Sequence, residues 1–136
     1  MVESIFKIPK FLPTSIVSVV VLYLTLFPDP VPESEMLLFP FADKVVHLLM
    51  FLGVGACLML DLGRVKHFSN NRNLPLVCIL VAFAFGWLIE ILQLLMALGR
   101  SYDNWDLVAD GAGAIVGVLI CRSLLFSKNR TTKCND

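Results

Sequence analysis

The chain is short of charged side chains: only 16% of its 136 residues are Asp, Glu, Lys or Arg, whereas 57% are hydrophobic. A soluble domain is nearer a quarter charged, so this chain lacks the polar residues that would cover a water-soluble fold. The same composition excludes a disordered chain, an acidic or basic nucleic-acid binder and almost any cytosolic enzyme. Four cysteines without a CxxC pair indicate neither a disulfide framework nor a zinc knuckle, and there is no glycine-rich phosphate loop. These absences leave an integral membrane protein, with no nucleic-acid partner and no cofactor expected.

Four apolar stretches are candidates for membrane spans, since a helix needs about 20 apolar residues to cross roughly 30 Å of hydrocarbon. They cover residues 11–27, 40–60, 74–98 and 107–126. The first is predicted to be a retained signal anchor, because the proline-rich segment that begins at Pro28 is a poor match to a cleavage site. We predict an all-α, polytopic membrane protein: a compact four-helix transmembrane bundle that forms one domain over residues 1–136.

Basic residues predict the orientation, because lysine and arginine favour the cytoplasmic side. Nine of the eleven lie in the N-terminal arm, in the loop between the second and third spans, or near the C-terminus; Lys44 and Arg100 are the other two. Both termini are therefore expected in the cytoplasm, in a multi-pass protein of the cell membrane.

Polar residues in or next to the spans are the candidate functional residues, because the bilayer makes them costly. They are Asp43, Lys44 and His47 at the head of the second span, Glu90 and Gln93 in the third, Arg100 just beyond it, and Asp106 and Asp110 at the start of the fourth. All belong to the predicted outer half of the bundle. We expect a polar funnel that opens outward and ends at Glu90.

Each candidate also has a plainer interpretation. Glu90 is a functional candidate by default, because a buried carboxylate is costly in the bilayer, but it is also consistent with a hydrogen bond between helices. Gln93 is as consistent with such a bond as with a function, and Asp106 is consistent with a helix N-cap. Lys44 and Arg100 are consistent with side chains that reach for the membrane surface. For His47, the roles of ligand, proton acceptor and hydrogen-bond donor stay open.

Gly113 and Gly117 match the small-xxx-small pattern that allows helix backbones to approach closely. Packing within the bundle is the first interpretation, with Gly53 and Gly55 of the second span as the expected partners. A homodimer contact is the second interpretation.

Several membrane enzymes are excluded by the residues present. An acid-phosphatase type needs two histidines with an arginine-rich pocket, whereas His67, the only other histidine, lies in a predicted cytoplasmic loop. An intramembrane serine protease needs its serine in a glycine context, which the serines of the first span lack. An intramembrane aspartyl protease needs two aspartates on facing helices, whereas the candidate aspartates of the fourth span share one helix. A metal site from His47, Glu90 and Asp110 is conceivable, but no two of these residues share a helix, so no metal is predicted.

The ordered motifs resemble the VanZ-like family. They are Asp43-Lys44-Val45-Val46-His47, then Glu90-Ile91-Leu92-Gln93, Gly99-Arg100, and Asp106 through Asp110 with Gly113 and Gly117. The resemblance covers about residues 40–119, and one departure is Asp110, where such proteins often carry asparagine. It implies a membrane protein linked to lowered susceptibility to teicoplanin, a glycopeptide with a fatty acyl chain that acts at the outer leaflet, as does its cell-wall precursor target.

Four functions remain open at this point. The leading one is a non-enzymatic or weakly enzymatic factor that binds, at the outer leaflet, the polar head of an amphiphile such as a membrane lipid or lipid-linked cell-wall precursor. Lys44 and Arg100 would attract phosphate or carboxylate, and His47, Glu90 and Gln93 would form hydrogen bonds with deeper groups. The second is an enzyme on a lipid-linked substrate, with Glu90 as general acid or base and His47 as its partner. A proton-coupled carrier that uses Glu90, and a structural partner of a larger assembly, complete the set.

Overall fold

The computed structural model describes residues 9–27, 42–68, 71–96 and 104–132, with the backbone alone for 42 and 126–132. Four helices account for most of these residues: α1 (Leu12–Leu26), α2 (Ala42–Gly63), α3 (Leu74–Met96) and α4 (Asn104–Thr132). No strand occurs in the ranges described. The predicted all-α class and four-helix architecture are confirmed.

Three of the helices, α2, α3 and α4, are long and apolar enough to cross a membrane. The first helix, α1, has only 15 residues, which gives about 22 Å of rise against roughly 30 Å of hydrocarbon. Its crossing of the bilayer therefore stays a prediction. The helices α2 and α4 extend beyond the predicted spans at polar residues, as is expected where helix ends leave the hydrocarbon.

The distribution of side chains is inverted relative to that of a soluble protein. Large apolar side chains such as Leu95 (73% exposed), Trp105 and Leu124 cover the outside of the bundle. His47, Glu90 and several other polar or charged side chains lie inside. An apolar surface this extensive needs a nonaqueous partner, so the chain is a multi-pass membrane protein.

The largest interface in the bundle joins α2 to α4, and glycines permit its closeness. A β-carbon at Gly113 would overlap the backbone carbonyl of Leu48, and one at Gly117 would overlap that of Leu52. Gly55 faces the backbone of Ala114 in the same way. We call this interface the α2–α4 seam. Because the neighbouring atoms are backbone atoms, no rotamer change would make room for a side chain.

The N-terminus of α1 is capped by a carboxylate from α2. Phe11, at the N-cap position, makes no side-chain cap hydrogen bond. The Thr14 amide and hydroxyl instead donate to Asp61 Oδ2, at 3.1 and 2.6 Å. Asp61 Oδ1 also accepts a bond from Arg64 Nη2. A carboxylate at this position is favoured by the positive end of the helix dipole, so Asp61 fixes where α1 sits on α2.

Candidate functional site

Lys44 and Asp106 form an ion pair between the first turns of α2 and α4. Lys44 Nζ lies 2.5 Å from Asp106 Oδ1, and the two side chains are 25% and 12% exposed. Asp43 Oδ2 lies 4.0 Å from the same nitrogen, with its side chain 42% exposed. These three residues form the partly exposed end of the site, which we call the mouth.

His47 and Asp110 form a second pair, one turn deeper on the same two helices. His47 Nδ1 lies 3.0 Å from Asp110 Oδ1, and the side chains are 3% and 0% exposed. The carboxylate fixes the orientation of the imidazole, as a supporting acid does for a histidine base or metal ligand. The other carboxylate oxygen, Asp110 Oδ2, is buried with no hydrogen-bond partner among the described residues.

Glu90 of α3 completes a buried group with this pair. One ligand atom from each of His47, Glu90 and Asp110 lies within 4.8 Å of the other two, and Glu90 is fully buried. Gly86, one turn earlier on α3, lies against Asp110: a β-carbon there would be 2.8 Å from Asp110 Oδ2. Three helices thus bring an imidazole and two carboxylates together inside the bundle.

Gln93 lies one turn beyond Glu90 and joins α3 to α1. Its Nε2 donates to the backbone oxygen of Thr25 at 2.9 Å, near the end of α1, where carbonyls lack a partner within their own helix. The Thr25 hydroxyl in turn donates to the oxygen of Val21 at 2.7 Å. This contact is the interhelical bond expected in the plainer interpretation of Gln93.

A sequence model of the VanZ/LLP1 family matches residues 11–127, which is most of the chain. The chain belongs to the VanZ/LLP1 family. The match extends beyond the region of about 40–119 that the motifs indicated, and it includes all of α1. No curated protein and no solved structure matches the chain.

Membership makes the chain a VanZ-like membrane protein of a family linked to glycopeptide resistance. In this VanZ-like protein, seven of the eight predicted binding residues lie within the described ranges, and six of them approach one another at one end of the bundle. Those six are Asp43, Lys44, His47, Glu90, Asp106 and Asp110. Gln93 lies beside them, on α3, and contacts α1. Arg100 lies outside the described residues.

Two features of the site differ from expectation. Asp106 is not the N-cap of α4, because the helix begins at Asn104; its carboxylate lies in the first turn and binds Lys44. The funnel is also closed at depth, since Glu90 and Asp110 have no exposed surface.

The candidate residues predicted from the sequence do not include Asp61, which directly follows the predicted second span (residues 40–60). Asp61 is fully buried and pairs with Arg64, three residues later. The signal available in the sequence was this i, i+3 acid–base spacing. We call Asp61, Arg64 and Thr14 the inner cluster, because they lie at the opposite end of the bundle from the mouth.

Proposed function

We propose that this VanZ-like protein acts at the outer leaflet on the polar head of a cell-envelope amphiphile, and that it lowers susceptibility to teicoplanin. The observation that carries the proposal is the mouth: Asp43, Lys44 and Asp106 place partly exposed charges at the end of a bundle whose sides are apolar. An amphiphile has the same arrangement, with a polar head above an apolar chain.

The orientation supports the outer leaflet as the place of action. The mouth lies at the start of α2 and α4 and near the end of α3, on the side that carries few basic residues in the sequence. The inner cluster lies at the other end, next to the basic loop that follows α2. By the positive-inside rule, the mouth faces outward.

The chemistry of the mouth suits a head that carries both charge signs or hydrogen-bonding groups. Lys44 provides an ammonium group for phosphate or carboxylate, and Asp43 and Asp106 accept hydrogen bonds from amines or hydroxyls. On binding, the head group would replace Asp106 as the partner of Lys44 and Lys44 as the partner of Asp106. The buried groups would be reached only after the helices move.

A second candidate is an enzyme on a lipid-linked substrate, favoured by the His47–Asp110 pair. A histidine oriented by a carboxylate, with Glu90 nearby, is the arrangement of a general base. No cysteine of the described residues belongs to this group. Turnover of a lipid-linked precursor by purified protein, lost in His47→Gln, would favour the enzyme over the binding factor.

The test of the first proposal is teicoplanin susceptibility in a sensitive Gram-positive host at matched protein levels in the membrane. We expect the wild type to lower susceptibility and Lys44→Gln, Glu90→Gln and His47→Ala to abolish the effect. His67→Ala is the matched control for His47→Ala, since it removes an exposed imidazole at the other end of the bundle; it should keep the effect. No effect of the wild type, or equal loss in His67→Ala, would contradict the proposal.

A glycopeptide without an acyl chain separates the ligands within this test. If the protein acts on the acylated antibiotic itself, protection is confined to teicoplanin. If it acts on the shared precursor, the protection extends to both antibiotics. Either result keeps the action on an amphiphile at the outer leaflet, and only the second assigns it to an amphiphile of the cell envelope.

A further inference from the structure

We propose that His47, Glu90 and Asp110 bind a divalent first-row transition-metal ion, for which Zn²⁺ is the best match. The site goes beyond the proposed function, because an ion can be bound whether or not an amphiphile is the ligand. Three observations support it: the geometry of the donor atoms, their chemical type, and the buried oxygen of Asp110.

The geometry requires little adjustment. Ligands about 2.0–2.1 Å from a tetrahedral Zn²⁺ lie about 3.3–3.4 Å from one another. His47 Nδ1 and Asp110 Oδ1 are 3.0 Å apart, and the group including Glu90 spans at most 4.8 Å. Side-chain rotations alone would bring three donors around one ion.

The donor set is a nitrogen and two carboxylates, which together suit Zn²⁺. When the imidazole is neutral, the two negative charges of Glu90 and Asp110 balance the charge of one divalent cation. Three protein ligands leave a fourth coordination position for water or for an oxygen of a bound molecule, as in catalytic zinc sites. Mg²⁺ prefers six oxygen ligands and keeps several waters, so this buried site with a nitrogen donor should discriminate against it.

Asp110 provides an independent sign of a ligand. Its Oδ2 is fully buried and has no hydrogen-bond partner among the described residues, a condition that costs free energy unless something occupies the position. A β-carbon built on Gly86 would lie 2.8 Å from this oxygen and 3.2 Å from the ring of Phe51, which is also fully buried. An apolar wall of this kind excludes water and strengthens the attraction of a cation.

The group at the mouth is a poorer candidate, although Asp43, His47 and Asp106 also lie within 4.8 Å of one another. Lys44 already places a cation 2.5 Å from Asp106. The Asp43 side chain is 42% exposed, so water would compete with an ion for its oxygens. The ion is therefore assigned to the deeper group, and Asp43 serves as a control.

The test is a titration of purified, chelator-treated protein in detergent with Zn²⁺ alone, read by calorimetry and by metal analysis. We expect one ion per chain, unaffected by excess Mg²⁺. Asp110→Asn and Glu90→Gln, which keep the shape of the side chains, should each weaken binding by at least the roughly 10–100-fold that loss of a supporting residue costs. His67→Ala, which removes the other histidine, and Asp43→Asn should bind like the wild type.

A second readout identifies the ligands. X-ray absorption at the zinc edge should show nitrogen and oxygen ligands at about 2.0–2.1 Å and no sulfur at about 2.3 Å. Gly86→Ala, which removes no ligand but displaces the Asp110 carboxylate, should also weaken binding. Helicity and elution volume in detergent check that each variant is folded, and Asp110→Asn and His47→Gln carry the test if Glu90→Gln does not fold.

Three results would overturn the site: no stoichiometric Zn²⁺ on the wild type, unchanged affinity in folded Asp110→Asn and Glu90→Gln, or a sulfur ligand in the absorption spectrum. Since no amphiphile is present in the titration, these results would leave the proposed function standing. Conversely, Zn²⁺ binding by a protein that gives no resistance would support the site and contradict the proposed function.

Discussion

Replacing Gly113 by alanine would force the α2–α4 seam apart at its closest point. The added β-carbon would overlap the carbonyl oxygen of Leu48, and the carbonyl carbon lies 3.0 Å from the same position. Carbon–oxygen contacts across helix interfaces are normally about 3.3–3.6 Å. The two helices would therefore have to separate by about 1 Å, since both obstructing atoms belong to the backbone.

The expected cost follows from two opposing effects. Inserting a methylene into a close-packed interior typically costs about 1–3 kcal/mol, and here no side chain is free to move away. Alanine recovers up to about 1 kcal/mol through its higher helix propensity. We therefore expect Gly113→Ala to lower the free energy of unfolding by about 1–2 kcal/mol, and Gly117→Ala to behave similarly.

Gly53→Ala is the matched control, because Gly53 also lies on α2 but faces α1 instead of the seam. A β-carbon there would meet Val17 Cγ1 of α1 at 3.7 Å, which is an ordinary van der Waals contact. This variant should be neutral or up to about 1 kcal/mol more stable. The assay is thermal or denaturant unfolding in one detergent, followed by helicity.

The seam variants should also disturb the site. Gly113 lies three residues after Asp110 on α4, so a separation of about 1 Å would lengthen the 3.0 Å contact between His47 and Asp110. If Gly113→Ala and Gly53→Ala were equally stable, the seam would not be as close as described, and the reasoning would be refuted.

Further predictions concern the other polar contacts. Asp61→Asn should destabilise the bundle by about 3–5 kcal/mol because it breaks a buried ion pair. The double variant Asp61→Leu with Arg64→Leu should lose less stability in the same unfolding assay. An equal or greater loss in the double variant would contradict a stabilising role of the ion pair. Gln93→Leu should lower the free energy of unfolding by about 1–3 kcal/mol, because it leaves the Thr25 carbonyl without its donor. Hydrogen exchange should then show faster opening of α1. Unchanged exchange would argue against a stabilising hydrogen bond between Gln93 and Thr25. A reporter that is active only in the cytoplasm should be active when fused to the C-terminus, and an inactive fusion at normal protein levels would reverse the predicted orientation.

The number of helices and the identity of the candidate residues were accessible from the sequence for a physical reason. A bilayer fixes the length of an apolar run, and it makes a buried carboxylate such as Glu90 conspicuous. The contacts between these residues were harder to predict from the sequence. His47 shares a helix face with Asp43, yet it binds Asp110 on α4. The partner is determined by which helices meet, and that depends on packing between segments far apart in the chain.

The inner cluster shows a related limit. Asp61 sits at the end of an apolar run, where a charged residue is ordinary for a helix that leaves the membrane. Only the approach of Thr14, 47 residues earlier, makes it a buried cap. A local pattern cannot reveal a contact of that separation. It can reveal only the acid–base spacing of Asp61 and Arg64.

The arrangement of contacts also indicates which helices would move if a ligand reached the buried groups. Lys44 binds Asp106 and His47 binds Asp110 across the α2–α4 seam. The backbones of the two helices are in direct contact along the seam, so separating them would break both pairs. Glu90 comes from α3, which shares a smaller interface with each of its neighbours. Movement of α3, together with the α1 end that Gln93 holds, would open the site without breaking the seam. Gln93→Leu should therefore increase access to Glu90, whereas the seam should stay closed in the same variant.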